Sequence, residues 1–116
     1  NNNSLEELPE AIGGLKSLQR LYLKENKLSV LPASMSDLTA LTDLIVSGNP
    51  LGGFPPILND MPALRRLDIE KTGLESLPAD LTPLKGLLWL KIGGNKLSSE
   101  DKERLREALP ACEIIF

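Results

Sequence analysis

The chain has no histidine, which removes the side chain that most often serves as general base and as metal ligand. It has one cysteine, so neither an intramolecular disulfide nor a cysteine-built structural zinc site can form. Aromatic residues make up only 3% of the sequence, with one Trp and one Tyr, so the core must be aliphatic and an exposed ring becomes conspicuous. No apolar run approaches the roughly 18 residues of a membrane span. The densest one, Leu87–Leu90, is flanked by Lys85 and Lys91. No excess of positive charge is present either. The net charge of −3 and a pI near 5.0 argue against a nucleic-acid backbone as partner. Neither a G-x-S-x-G elbow nor a phosphate-cradling glycine loop with its lysine occurs, and Glu6, Glu7 and Glu10 imply no closed carboxylate pocket. These absences exclude most enzyme classes and every cofactor with a recognisable motif.

What is present is a repeat. The stretch Leu18–Leu28 has the form L-x-x-L-x-L-x-x-N-x-L, and its columns return at a step of 23 residues. Leu21, Leu44, Leu67 and Leu90 form one column, Leu23, Val46, Ile69 and Ile92 another, and Asn26, Asn49, Thr72 and Asn95 a third. Pro9, Pro32, Pro55 and Pro78 mark the opposite half of each unit. Fixed-period columns of one chemistry mean stacked supersecondary units that share a continuous core. The alternating L-x-L segments, around 20–23, 43–46, 66–69 and 89–92, are expected as short parallel strands. The proline-led halves, interrupted by Gly13-Gly14, Pro55-Pro56 and Thr82-Pro83, are expected as single helical or 3₁₀ turns. Each asparagine amide can satisfy backbone groups of a tight turn from the inside, and Thr72 can satisfy fewer, so its unit is expected to be looser.

The column set resembles the leucine-rich repeat family in its 23-residue form. That resemblance implies an α/β fold: a right-handed solenoid with a parallel concave sheet, short turns on the convex side, and a C-terminal capping helix plus strand. The expected organisation is a single domain over 1–116, with four full repeats at about 18–97, a partial repeat before them, and a cap over 98–116. Asn3 and Leu5 fall in the ladder columns without the strand that should precede them, so the chain shown is expected to begin inside a longer array or without its natural N-terminal cap. Ser98-Ser-Glu-Asp101 reads as a capping box opening a helix over 99–109, with Glu100 and Arg104 as an i,i+4 pair. Leu105, Leu109, Pro110, Cys112, Ile114 and Phe116 match the terminal unit of bacterial members, including those of spirochaetes. Cys112 in the second leucine slot is then a small core residue and not a nucleophile. The missing cysteine-rich end caps set the chain apart from secreted animal members and favour a bacterial cytoplasmic or disulfide-free secreted protein.

The residues between the inward leucines face solvent on the strand side. One column is Arg20, Asp43, Arg66, Trp89, Ala111; the next is Tyr22, Ile45, Asp68, Lys91, Glu113. Charges alternate in Arg20-Asp43-Arg66 and in Asp68-Lys91-Glu113. The apolar exceptions are Tyr22 beside Ile45, and Trp89. Tyr and Trp give large rigid area with a polar tip, so these columns are the candidate site for a protein partner. The competing reading makes Trp89 a shield over the sheet, packed on Lys91 or Arg66. A second function stays open: a structural fragment of a larger multidomain protein, or one that self-associates through its N-terminal strand edge.

Overall fold

The computed structural model describes residues 5–116; the ladder position expected at Asn3 lies outside the described residues. Five three-residue strands, β1 (Arg20–Tyr22), β2 (Asp43–Ile45), β3 (Arg66–Asp68), β4 (Trp89–Lys91) and β5 (Glu113–Ile115), form one open sheet in chain order with every pairing parallel. The 23-residue step appears directly as register: Leu21 lies beside Leu44, Leu44 beside Leu67, and Leu67 beside Leu90. The last three of these leucines are at most 1% exposed. Each strand is short because the chain must leave it at once to reach the next unit. The residue before each ladder position, Glu25, Gly48, Lys71 or Gly94, makes that turn in the left-handed region with φ between 53° and 74°.

Opposite the sheet run 3₁₀ turns at Glu10–Gly14, Ala33–Asp37, Pro56–Asp60 and Thr82–Leu84. Pro9, Pro32 and Pro55 stand immediately before the first three in extended conformation, as their restricted φ favours. The fourth turn departs from this plan. It opens at Thr82, after Pro78, through an Asx turn in which Thr82 N–H donates to Asp80 Oδ1 at 2.9 Å. The neighbouring Thr82 hydroxyl and, after it, that backbone bond lower the Asp80 pKa. Met35, Leu58 and Leu81 point inward from the turns and Leu38, Met61 and Leu84 follow them, so each unit closes a ring of aliphatic side chains around the solenoid axis.

The ladder supplies the polar counterpart. Asn49 Nδ2 donates to the carbonyls of Val46 (2.9 Å) and Leu23 (2.8 Å), while its Oδ1 accepts from Leu28 N–H at 3.1 Å. Asn95 repeats the arrangement on Ile92, Ile69 and Leu74. One amide thus binds its own turn and the unit before it. The Thr72 side chain has a single donor, directed to Ile69 C=O at 3.0 Å, and makes no bond to the preceding unit, which Thr72 meets only through its backbone carbonyl, accepting from Gly52 N–H at 2.9 Å. Leu51 N–H turns instead to Asn49 C=O. The joint between the second and third complete units therefore lacks its side-chain rung.

Helix α1 (Ser99–Ala108) closes the C-terminal end. Ser98 Oγ accepts from Asp101 N–H at 3.1 Å, the expected cap. Arg104 pairs with Asp101 at 3.1 Å rather than with Glu100, because its other amino group reaches back to the carbonyls of Pro78 (2.7 Å) and Ala79 (3.0 Å). That tie pulls the guanidinium toward the fourth unit. Leu105 and Leu109 are buried beneath the helix.

The candidate concave face

Strand alternation sends Leu21, Leu44, Leu67, Leu90 and Ile114 inward and turns their neighbours to the other side of the sheet. The structure therefore brings all eight candidate residues onto one face, in two lateral rows. Arg20, Asp43, Arg66 and Trp89 form the first row, and Tyr22, Ile45, Asp68 and Lys91 the second.

The fifth strand corrects the ends of both rows. Glu113 lies beside Trp89 and Ile115 beside Lys91, where Ala111 and Glu113 were expected. Ten residues of α-helix replace a 3₁₀ turn in this last crossover, so the strand-to-strand step becomes 24, Leu90 to Ile114. Cys112 consequently precedes β5 instead of occupying the inward slot beside Leu90. It is half-buried at the edge of the core, where burial pushes its thiol pKa up and makes it a poor nucleophile. The sign alternation Asp68-Lys91-Glu113 does not exist. Lys91 pairs with Glu70 at 3.3 Å, a residue two positions beyond Asp68 of the second row.

In the first row, Thr42 Oγ1 donates to Asp43 Oδ1 at 3.0 Å and Arg20 Nε lies 3.8 Å from Asp43 Oδ2. Arg66 is exposed and forms no ion pair among the described residues. Its lateral neighbours are Asp43, already engaged, and the half-buried Trp89. In the second row Tyr22 is 51% exposed and abuts Ile45.

Asp68 departs from the expectation that all these side chains face open solvent. It is buried, with Oδ1 accepting from Glu70 N–H at 3.0 Å. Burial is the main reason its pKa stands above the usual carboxylate value; the Glu70 amide opposes the rise, the Glu70 charge adds to it and Lys91 counters. The buried Ser47 hydroxyl comes within electrostatic reach of this carboxyl and slightly favours its ionised form, without the geometry of a hydrogen bond. Asp68 is better placed to hold the shape of the face than to meet a partner. Glu70, in the column Lys24, Ser47, Glu70, Gly93 beyond the candidate rows, is a participant that the candidate set leaves out. The signal was available in its position one unit after Ser47, where a long carboxylate can reach Lys91.

A cleft of about 250 Å³, which no strand residue lines, is lined by Val30, Leu51, Phe54, Pro55 and Ile57 among others. Val30 is 63% exposed there. Among the described residues no group of acidic, cysteine or histidine side chains is arranged to hold a metal ion, and no helix is long and apolar enough to cross a membrane.

A stack of short parallel strands and 3₁₀ turns, sealed inside by leucines and an asparagine ladder, is the architecture of a leucine-rich repeat solenoid. A family model described as a leucine-rich repeat region matches residues 1–112, and the chain belongs to that family. Among solved structures it is similar to a leucine-rich repeat protein of Leptospira interrogans, with 36% identity over 99% of the chain and a TM-score of 0.89. It also resembles internalin C2 of Listeria monocytogenes, at 24% identity over 98% of the chain and a TM-score of 0.81. A third relative is the ectodomain of the Arabidopsis thaliana receptor kinase GASSHO1, solved in complex with Casparian strip integrity factor 2 (31% identity over 83% of the chain, TM-score 0.69). The chain spans 29%, 47% and 12% of these three proteins' lengths. None of the curated proteins matches it.

Proposed function

We propose that this chain is a protein-interaction module that takes its partner on the concave sheet face, without cofactor or catalysis. Leucine-rich repeat proteins are in general interaction scaffolds, and the GASSHO1 ectodomain was solved with a polypeptide partner. The observation that carries the reading is the pairing of apolar and polar groups on this face. Tyr22 with Ile45 makes one apolar platform, and Trp89 with the exposed Arg66 makes a second, two strand spacings (roughly 10 Å) along the sheet. Two separated anchors suit an extended segment or a protein edge lying across the strands, with Arg66 accepting an acidic group beside the indole. Arg20, Asp43 and Lys91 form the charged rim, and Asp68 supports the surface from below.

Selection of a displayed polypeptide library on the immobilised chain tests this. Binders should lose at least about tenfold in affinity toward a Tyr22→Ala/Trp89→Ala double variant whose melting is unchanged. A set of binders indifferent to both substitutions would place the working surface elsewhere.

A further inference from the structure

Several departures from the repeat gather in one place. At the 23-residue step Phe54 stands where Leu8, Leu31 and Leu77 stand, and Ile57 where Ala11, Ser34 and Asp80 stand. Val30 occupies a column otherwise held by Glu7, Gly53 and Ser76. Phe54, Ile57, Val30 and Gly53 all line the cleft of about 250 Å³, together with Pro55 and Pro56. Nothing in the fold requires glycine at position 53. Its φ is outside the left-handed region, and a Cβ built on it would meet no atom within 4 Å. By contrast Gly48, Gly52, Gly73 and Gly94 take left-handed φ, and a Cβ on Gly13, Gly86 or Gly93 would come to 2.5 or 2.6 Å from a neighbouring atom. Gly14 shares the freedom of Gly53, away from the cleft. What the missing side chain at Gly53 does is leave the cleft open.

We infer that this cleft is a second binding site, which takes a tryptophan or tyrosine side chain carried by a partner polypeptide. None of its lining residues is charged, so an ion entering it would lose hydration with no opposite charge in return. The complementary group is therefore uncharged. An apolar cavity of about 150 Å³ takes benzene, so this volume suits a phenol or an indole. The flat faces available for stacking are the Phe54 ring and the rings of Pro55 and Pro56. Val30 is exposed while Leu51, Phe54 and Ile57 are half-buried, so one side of the cleft stays wet. A ring with a polar tip fits such a place better than a wholly apolar one. That the ring comes on a polypeptide, and not free, follows from the backbone beside it. The N–H and C=O groups of Val30 and of Phe54 make no hydrogen bond among the described residues, so they can bond an extended segment running past the cleft. No strand residue lines this site, and the inference does not depend on the concave-face reading above.

Titration of the 116-residue chain with an end-blocked Ala-Trp-Ala tripeptide, followed by amide NMR, should move the Val30, Gly53 and Phe54 signals and saturate in the millimolar range. End-blocked Ala-Ala-Ala and Ala-Lys-Ala should leave those signals in place. Free indole, without a backbone to bond, should bind there at least about threefold more weakly. Gly53→Leu fills the cleft where a Cβ meets nothing, so it should keep its melting temperature and lose at least about tenfold in tripeptide affinity. If that variant unfolds, Val30→Glu, which sets a charge at an exposed wall of the cleft, must cause the same loss. The Tyr22→Ala/Trp89→Ala variant should bind the tripeptide at this site as the wild type does. The proposal is overturned by an absence of shifts at Val30, Gly53 and Phe54, by indole binding as tightly as the tripeptide, or by full affinity in a folded Gly53→Leu.

Discussion

The two ends of this solenoid meet the same physical demand and answer it differently. At the C-terminal end a capped helix lays Leu105 and Leu109 over the last ring of leucines, and Arg104 ties that helix to Pro78 and Ala79. Lys102 and Arg106 then stand over Phe116, 5.5 and 5.0 Å from its ring. At the N-terminal end Leu5 and Leu15 are largely exposed among the described residues, and β1 is the first strand of the sheet. A repeat stack gains stability from neighbour contacts, so leucines sealed between units share in the cooperative core while exposed ones contribute little.

The contrast can be broken most directly at its two leucines. Leu105→Ala, at 0% exposure, should destabilise the chain by about 2–4 kcal/mol in denaturant titration, whereas Leu15→Ala, already half in water, should cost under about 1 kcal/mol. Equal losses would refute the contrast between the two leucines. A smaller effect concerns the joint between the two halves. Thr72→Asn supplies the second donor and the acceptor that this rung lacks, within reach of Val46 C=O and Leu51 N–H by the geometry Asn95 uses one unit on. It should add about 0.5–1.5 kcal/mol and slow hydrogen exchange in the units before it. No gain would show that the backbone bond from Leu51 to Asn49 already suffices. The smallest effect is one of pH. Because the folded-state pKa of Asp68 is raised, the native protein holds its proton more tightly than the unfolded chain does. Stability from this residue is therefore full below 3.8 and declines as pH rises through the folded value. Asp68→Asn should remove that decline, so the variant gains on the wild type as pH rises from about 3 to 6 and keeps the gain at pH 7. Parallel stability curves for the two proteins would refute the account.

The register of four strands was legible from the leucine columns because a one-residue slip would turn every leucine outward. The fifth was not. Local spacing at Leu109, Cys112 and Ile114 fits two frames, and only the length of α1 decides between them. The helix itself was plain from Ser98 and its charge pattern, but the partner of Arg104 was not, since Pro78 and Ala79 come near it only in the folded stack. The eight face residues were found by alternation alone. Alternation says which way a side chain leaves the sheet and nothing about how deep its neighbours leave it, so the burial of Asp68 escaped.

The turn position that follows each strand has a consequence for how such an array can be lengthened. Glu25 and Lys71 hold left-handed backbone there, while Gly48 and Gly94 alternate with them. A Cβ on Gly48 would come within 3.0 Å of Glu25 Cγ, and one on Gly94 within 2.6 Å of Lys71 Cγ, so each long side chain lies across the glycine of the next rung. Along this seam the structural module is a couple of rungs, 46 residues from Glu25 to Lys71, and splicing in a single one would set two bulky groups, or two bare ones, side by side. Extension by whole couples keeps the seam in phase.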